Sequence, residues 1–156
     1  MHAAHHESAS AATSPRYEET CSYNTRKTPS RQHQLGRFFI GLLERYWTPD
    51  ARNHAAPPGT PATADALRAY HAGFFEALRA FDDVRIAIER QVAEGDLVAT
   101  QIVLTATHAG EFAGIAATSR RVTLASMRFD RLGGGRIVEH WSVADMAGLI
   151  EQLSAP

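Results

Sequence analysis

Residues 122–143 read VTLASMRFDRLGGGRIVEHWSV, two apolar-rich segments separated by three glycines. Residues 122–131 and 136–143 have the length and the β-branched and aromatic content of strands. The turn Leu132-Gly133-Gly134-Gly135 can adopt the positive φ angles that a tight hairpin requires. The stretch therefore predicts an antiparallel β-hairpin.

Neither face of the second hairpin strand is cleanly polar. Strict alternation places Ile137, Trp141 and Val143 on one face and Val138, His140 and Ser142 on the other. We expect one face to pack on helices around a cavity. The other would bury Met127, Phe129 and Trp141 against a second copy of the chain, which predicts a homodimer.

Two more strands are expected before the hairpin and one helix after it. Period-two alternation begins after Asp82-Asp83, and the turn Glu94-Gly95-Asp96 leads into a strand over residues 97–108. After the hairpin, Asp145 is expected to cap a short helix. Its apolar stripe comprises Met146, Leu149, Ile150 and Leu153.

Helical periodicity marks residues 34–46 and a second segment that begins near Thr63 or Asp65. The first stripe comprises Leu35, Phe38, Phe39, Leu42, Leu43 and Tyr46, and Thr48-Pro49-Asp50 is expected to end that helix. Residues 55–61 contain three prolines and a glycine and predict a loop. The second stripe, predicted to be buried, comprises Leu67, Tyr70, His71, Phe74, Leu78 and Phe81. Helices followed by hairpin strands predict an α+β domain with helices covering one face of an antiparallel sheet.

Composition narrows the domain organisation and the partners. With 156 residues and 44% hydrophobic content, the chain can bury the core of one domain, which we assign to residues 31–156. Residues 1–30 lack any period and are predicted to be a low-complexity tail. We interpret the histidines His2, His5 and His6 of this tail as solvated sequence rather than as a metal site.

The charge balance and the single cysteine exclude several classes of protein. A formal charge of −1 gives no basic field for nucleic acid or for a membrane surface, and an uncharged small molecule suits it better. Cys21 alone cannot form an intrachain disulfide framework, which favours a cytoplasmic location. No window approaches the roughly 20 apolar residues that cross a bilayer.

Two motifs resemble the SnoaL-like polyketide cyclases, which share a cone-shaped α+β fold with nuclear transport factor 2 and ketosteroid isomerase. The first motif is THAGEFAG at residues 107–114 followed by TSRRV at residues 118–122. The second is GRIVEHW at residues 135–141, followed by Asp145 and Gln152-Leu153. The resemblance covers about residues 34–153. It implies an α+β barrel in which a strongly curved, mostly antiparallel sheet wraps around N-terminal helices, with a short C-terminal helix.

The resemblance also implies a chemistry and a set of polar positions. Its members close a polycyclic ester by an intramolecular aldol reaction in a deep apolar cavity, without a metal or an organic cofactor. The proton acceptor is an aspartate two residues after the histidine of the Glu-His-Trp segment, assisted by a glutamine, a histidine and an asparagine. In this sequence Asn53 matches the asparagine. Ser142, Ser126 and Arg128 occupy the positions of the aspartate, the glutamine and the histidine.

Because a serine hydroxyl at neutral pH cannot accept a proton unaided, another base is needed. Imidazoles have an ordinary pKa of about 6.5, close to operating pH. His140 is our candidate base and Ser142 our hydrogen-bond donor, since residues two apart on a strand share a face about 7 Å apart. Alternatively, His140 is a core histidine satisfied by a neighbouring carbonyl.

Arg128 is the third candidate catalytic residue. A guanidinium on a cavity face must be paired, either in a structural pair with Asp130 or with a developing enolate, alkoxide or ligand carboxylate. The candidate ligand-binding residues are Asn53, Tyr70, Phe74, His108 and Ser126. Their structural alternatives are a turn for Asn53, core packing for the aromatic side chains and a hydrogen bond to the loop for His108.

Three functional hypotheses follow. The first is an acid–base enzyme that acts on a small polycyclic or carbonyl compound. The second is a protein that binds a small hydrophobic molecule without catalysis, which the missing aspartate favours. The third is an epoxide hydrolase or dehydratase, although no trio of carboxylates supports it.

Overall fold

The computed structural model describes residues 43–155. The predicted tail with its three histidines, Cys21 and most of the first predicted helix therefore lie outside the described residues. Residues 43–46, which are the end of that helix, are helical.

Within the described residues, five strands and two helices form an α+β domain, as predicted. The strands are β1 (Trp47–Asn53), β2 (Phe81–Glu94), β3 (Leu97–His108), β4 (Arg121–Gly133) and β5 (Arg136–Ala144), and the helices are α1 (Ala64–Ala77) and α2 (Met146–Ser154). A short 3-10 turn, Leu78–Ala80, links α1 to β2. The sheet order is β1-β5-β4-β3-β2, and every pair is antiparallel except β1 with β5, which is parallel.

The sequence interpretation missed β1. Thr48-Pro49-Asp50 was expected only to end the first helix, but the helical turn at residues 43–46 leads directly into a strand that includes Pro49. β1 is an edge strand, and its register with β5 is interrupted between Trp47 and Arg52. A proline is tolerated there because its missing N–H removes no regular ladder bond.

The predicted cap Asp145 is confirmed, and of the two candidates at the start of α1, Thr63 and Asp65, the cap is Thr63. The hydroxyl of Thr63 accepts a hydrogen bond from the amide of Ala66 at 3.3 Å, and the carboxylate of Asp145 accepts one from Gly148 at 2.9 Å. Of the stripe predicted to be buried on α1, Leu67 is buried and Tyr70, His71 and Leu78 are half-buried, whereas Phe74 is 43% exposed. Phe81 is buried as predicted, but as the first residue of β2 rather than as part of a helix.

Helix α2 packs over one end of the sheet. Leu149 and Leu153 lie in a hydrophobic cluster with residues of β2, β3 and β4, among them Val84, Leu104 and Val122. The side chain of Gln152 accepts from the amide of Thr123 and donates to its carbonyl, both at 2.8 Å. Gln152 thus satisfies β4 where β5 provides no partner, which explains how α2 docks.

The β4–β5 hairpin turns at Gly134 and Gly135, whose φ angles of 58° and 76° confirm the predicted role of the glycines. Its register contains a bulge, because Leu132 pairs with Ile137 whereas Arg131 pairs with Glu139. The extra residue is Val138. The predicted alternation is therefore wrong at Ile137, which is buried with Trp47 and Leu67 instead of sharing the face of Trp141.

Within residues 43–155, no helix is long and apolar enough to cross a membrane.

Candidate active site

A row of polar side chains lies on the sheet face that packs against the helices, which we call the inner face. Arg128 of β4 is directly opposite Ser142 of β5, and Asp130 is directly opposite His140. Cross-strand partners share a face with their Cβ atoms about 5 Å apart. Ser126, two residues before Arg128, lies on the same face opposite Ala144. The structure therefore brings together all three candidate catalytic residues and Ser126.

The Asp130–His140 pair is buried and tightly bonded. Nδ1 of His140 lies 2.6 Å from Oδ1 of Asp130, and the two residues are 7% and 2% exposed. A carboxylate oxygen accepts the hydrogen bond that Nδ1 donates, which leaves Nε2 as the ring nitrogen that can take up a further proton. Carboxylates orient catalytic imidazoles in this way, leaving the other nitrogen to act as a base.

The same carboxylate also faces Arg128. Nε of Arg128 lies 3.3 Å from Oδ2 of Asp130, an ion pair that is too long for a strong hydrogen bond. The side chain of Arg128 keeps 27% exposure, whereas that of Asp130 keeps 3%. Asp130 therefore links an imidazole and a guanidinium, and the structural pair considered for Arg128 is present.

Trp47 and His71 cover this row from the helix side. The indole centroid of Trp47 lies 5.1 Å from the ring of His140 and 5.3 Å from the ring of His71. Nδ1 of His71 lies 3.0 Å from the carbonyl oxygen of Leu67, one helical turn earlier. Burial lowers the pKa of His71, and positive charge on His140 and on Arg128 lowers it further. His71 is consequently a neutral imidazole near neutral pH.

Asn53 reaches the same region from β1, where it pairs with His140. Its Oδ1 accepts from the amide of Ala55 at 3.0 Å, which is the turn function considered from the sequence. Its Nδ2 is buried and has no hydrogen-bond partner within residues 43–155. One side of the amide therefore holds the turn, and the other side has no partner within residues 43–155.

The remaining predicted ligand-binding residues lie elsewhere or at the periphery. His108 is at the far end of β3, ten residues from Val98, which pairs with Asp130. This separation is about 30 Å of strand. Tyr70 makes an edge contact with His71 at 5.4 Å, and Phe74 contacts Phe75. The structure thus brings Tyr70 near the row and separates His108 from it.

Comparison with known proteins agrees with the observed fold. The family model of SnoaL-like polyketide cyclases matches residues 39–153. The chain belongs to this family. Among curated proteins, no match was found.

Several solved structures resemble this chain over most of its length. IdmH, a putative polyketide cyclase from Streptomyces antibioticus, is 29% identical with a TM-score of 0.65, over 83% of this chain and all of IdmH. AclR, a putative hydroxylase from Streptomyces galilaeus, is 28% identical with a TM-score of 0.59, over 83% of this chain and 84% of AclR. TsrD from Streptomyces laurentii is 21% identical with a TM-score of 0.60, over 84% of this chain and all of TsrD, and shows the fold alone.

Ser142 of β5 occupies the position of the family aspartate in this chain. The buried carboxylate of the hairpin, that of Asp130, lies on the neighbouring strand β4 instead. Of the acidic residues in β4 and β5, Asp130 lies on the inner face, and Glu139 lies on the outer face. Glu139 bonds Arg131 there at 2.9 Å, and Trp141 stacks on His54 at 4.5 Å. Glu139 therefore lies away from the candidate site.

Sequence reasoning missed Asp130 as the partner of His140 and missed His71 as a polar group of the site. In a regular hairpin around Gly134-Gly135, His140 would be opposite Phe129 on the wrong face. The bulge at Val138 shifts the register by one residue and creates the Asp130–His140 pair. The available signal for His71 was its place among the apolar residues of α1, which we interpreted as core packing.

Proposed function

We propose that this chain is a cofactor-independent acid–base enzyme that acts on a small polycyclic or carbonyl compound, with His140 as its proton acceptor. The observation that carries the proposal is the 2.6 Å contact between Nδ1 of His140 and Oδ1 of Asp130 in a buried setting. This contact orients an imidazole base in a site where Ser142 occupies the position of the family aspartate. The family membership supports the class of reaction.

The reaction begins with removal of a proton from the carbon next to a carbonyl. Nε2 of His140 takes this proton, and the imidazolium that forms donates through Nδ1 to the Asp130 carboxylate. Negative charge then develops on the carbonyl oxygen as the enolate forms. The guanidinium of Arg128 and the hydroxyl of Ser142 lie opposite each other next to the pair, where they stabilise that oxygen.

Access for a ligand is supported by two partly exposed side chains, Phe74 on α1 and Arg128 on the inner face of the sheet. Phe74 lies on the same helical face of α1 as Leu67, seven residues apart, yet Leu67 is buried and Phe74 is 43% exposed. Arg128 also remains partly exposed although it lies on the inner face. We infer an apolar cavity between α1 and the sheet, with aromatic side chains as its walls and the polar row at its base.

A deuterium-exchange experiment tests the proposal. The protein is incubated in D₂O with a panel of polycyclic ketones and keto esters that includes 1-tetralone, and deuterium at the carbon next to the carbonyl is measured by mass spectrometry. We expect exchange above the uncatalysed rate and a loss of about 10²–10⁴-fold in His140→Gln. His54→Gln, which changes an imidazole on the outer face, is the matched control and should exchange like wild type.

A ligand-binding protein without catalysis is the second candidate, and the specific observation that favours it is Ser142 at the position of the family aspartate. In that case ketones bind, but no ketone exchanges faster than in buffer. Exchange that persists unchanged in His140→Gln would also overturn the proposed role of His140.

We further propose that two copies of the chain associate through the outer face of the sheet. Met127 and Val143 are paired across β4 and β5, Phe129 is next to them, and all three are exposed. Such an apolar group at the centre of a face suits a two-fold interface, in which the same patch meets itself. Sedimentation velocity should give a dimer for wild type and a monomer for Val143→Glu, and a monomeric wild type would contradict the proposal.

A further inference from the structure

Among residues 43–155, His71 is the one imidazole beside the polar row that the proposed reaction leaves without a role. It lies on α1, half-buried, and contacts the indole of Trp47 edge to face. Trp47 is buried and also contacts His140. Since both imidazole centroids lie within 5.3 Å of one indole centroid, they are at most twice that distance apart. A single bound molecule of two or three rings can therefore contact both.

The tautomer of His71 is fixed by its own helix. The carbonyl oxygen of Leu67 can only accept a hydrogen bond, so Nδ1 of His71 carries the hydrogen and Nε2 carries the lone pair. Within residues 43–155, no hydrogen bond to this Nε2 is found. Unlike Nδ2 of Asn53, it is not a fully buried atom. Nε2 of His71 is consequently an accessible acceptor.

The surroundings of the two imidazoles assign them different tasks. His140 is bonded to the carboxylate of Asp130, which stabilises the positive charge that the ring acquires with a proton. His71 is bonded to a neutral carbonyl, and positive charge on Arg128 and on His140 opposes a further charge on it. A ring that stays neutral cannot be the base that holds a proton during turnover, but it can accept a hydrogen bond from a neutral donor.

We propose that His71 selects the ligand: its Nε2 accepts a hydrogen bond from a hydroxyl, so that the preferred compounds carry a phenolic or enolic hydroxyl in addition to the carbonyl. This inference rests on the proposed function, because the carbonyl end is assigned to His140 and Arg128. A site that uses a buried polar group to bind a hydroxyl rejects analogues without it, because the polar group is then left unpaired.

The test compares two ketones that differ only in the hydroxyl, 6-hydroxy-1-tetralone and 1-tetralone, by isothermal titration calorimetry. Wild type is expected to bind the hydroxylated ketone about tenfold more tightly, which is the contribution of one hydrogen bond between neutral groups. His71→Phe keeps the ring and removes the acceptor, and it should bind both ketones equally. His71→Gln retains an acceptor at similar reach and should keep part of the preference.

The ratio of the two dissociation constants separates selection from mere packing, since a general loss of packing weakens both ketones alike. Equal binding of both ketones by wild type, or an undiminished preference in His71→Phe, would overturn the role of His71. Deuterium exchange into 1-tetralone tests His140 independently, because that ketone has no hydroxyl. If neither ketone binds wild type at its solubility limit, both the proposed function and this inference are wrong.

Discussion

The two ends of the inner face each contain a buried histidine, and the contrast between them shows what makes an imidazole chemically useful. His140 lies near the turn of the β4–β5 hairpin and His108 at the far end of β3, and both are nearly inaccessible to solvent. Nδ1 of His140 donates to a carboxylate, whereas Nδ1 of His108 accepts from the amide of Thr118 at 3.2 Å. The residue type is the same, but the partners invert the roles of the nitrogens.

The neighbours of each ring complete the contrast. His108 contacts Phe81, whose cluster of apolar side chains includes Leu149 and Leu153 of α2. His140 lies among Trp47, Asn53 and the ion pair of Arg128 with Asp130. One end of the sheet is therefore a packed core in which a histidine holds a loop. The other is a polar row in which a histidine can exchange a proton.

The largest expected effect breaks the pair that distinguishes His140. Asp130→Asn keeps the shape of the side chain but offers an amide, so Nδ1 of His140 is no longer held as the protonated nitrogen. We expect the deuterium-exchange rate to fall about 10²–10⁴-fold, comparable to removal of the imidazole itself. Asp96→Asn removes a carboxylate that pairs with Arg131 on the outer face and is the matched control. Equal exchange rates in the two variants would show that the Asp130–His140 contact has no catalytic role.

The next effect concerns the other histidine. His108→Leu leaves the amide of Thr118 without its acceptor in a buried setting, which should lower the free energy of unfolding by about 1–3 kcal/mol in urea denaturation. Exchange per folded molecule should remain at the wild-type level. A loss of exchange without a loss of stability would mean that His108 takes part in the chemistry, contrary to its position.

A smaller effect is expected at Gly133, which lies against the bulge that sets the register of His140. A methyl group at Gly133 would lie 2.9 Å from Cγ1 of Val138, the bulged residue, so Gly133→Ala must displace that side chain. We expect a loss of about 1 kcal/mol in urea denaturation, with slower exchange because the bulge places His140 opposite Asp130. Gly73→Ala in α1 meets nothing within 4 Å and should be neutral or stabilising. Equal stability of Gly133→Ala and Gly73→Ala would contradict the claim that close packing of Val138 against Gly133 fixes the bulge.

The bulge also marks the limit of what the sequence could predict. The cap at Asp145 and the turn at Gly134-Gly135 depend on neighbouring residues, and the sequence predicted both; it also narrowed the cap of α1 to Thr63 or Asp65. The bulge depends on how Val138 fits against Gly133 on the other strand, and no local pattern indicates it. The register, the Asp130–His140 pair and the burial of Ile137 all follow from it, so the sequence identified His140 but not its partner.

β1 and His71 escaped prediction for a related reason. A strand that contains Pro49 is stable only because it is an edge strand beside β5, which is a property of the whole sheet. His71 belongs to the apolar periodicity of α1, and its polar function depends on Trp47, Arg128 and His140, which come from three other strands. Local periodicity identifies the helix, whereas the chemistry of one of its residues is decided by neighbours distant in sequence.

The smallest expected effect is a pH dependence of stability that belongs to His71. Because its pKa is lowered in the folded protein, mainly by burial and also by positive charge on His140 and Arg128, the unfolded chain takes up a proton at a higher pH than the folded one. Between that lowered pKa and about 6.5 the unfolded state binds more protons, so stability falls as the pH falls through this window. One such group gives a slope below about 1.4 kcal/mol per pH unit. Urea denaturation of wild type and His71→Gln between about pH 7.5 and about pH 5, a range that brackets the ordinary pKa of about 6.5, should give a flatter curve for the variant. Parallel curves would mean that His71 titrates alike in both states, and its neutrality, on which its role as an acceptor depends, would have to be abandoned.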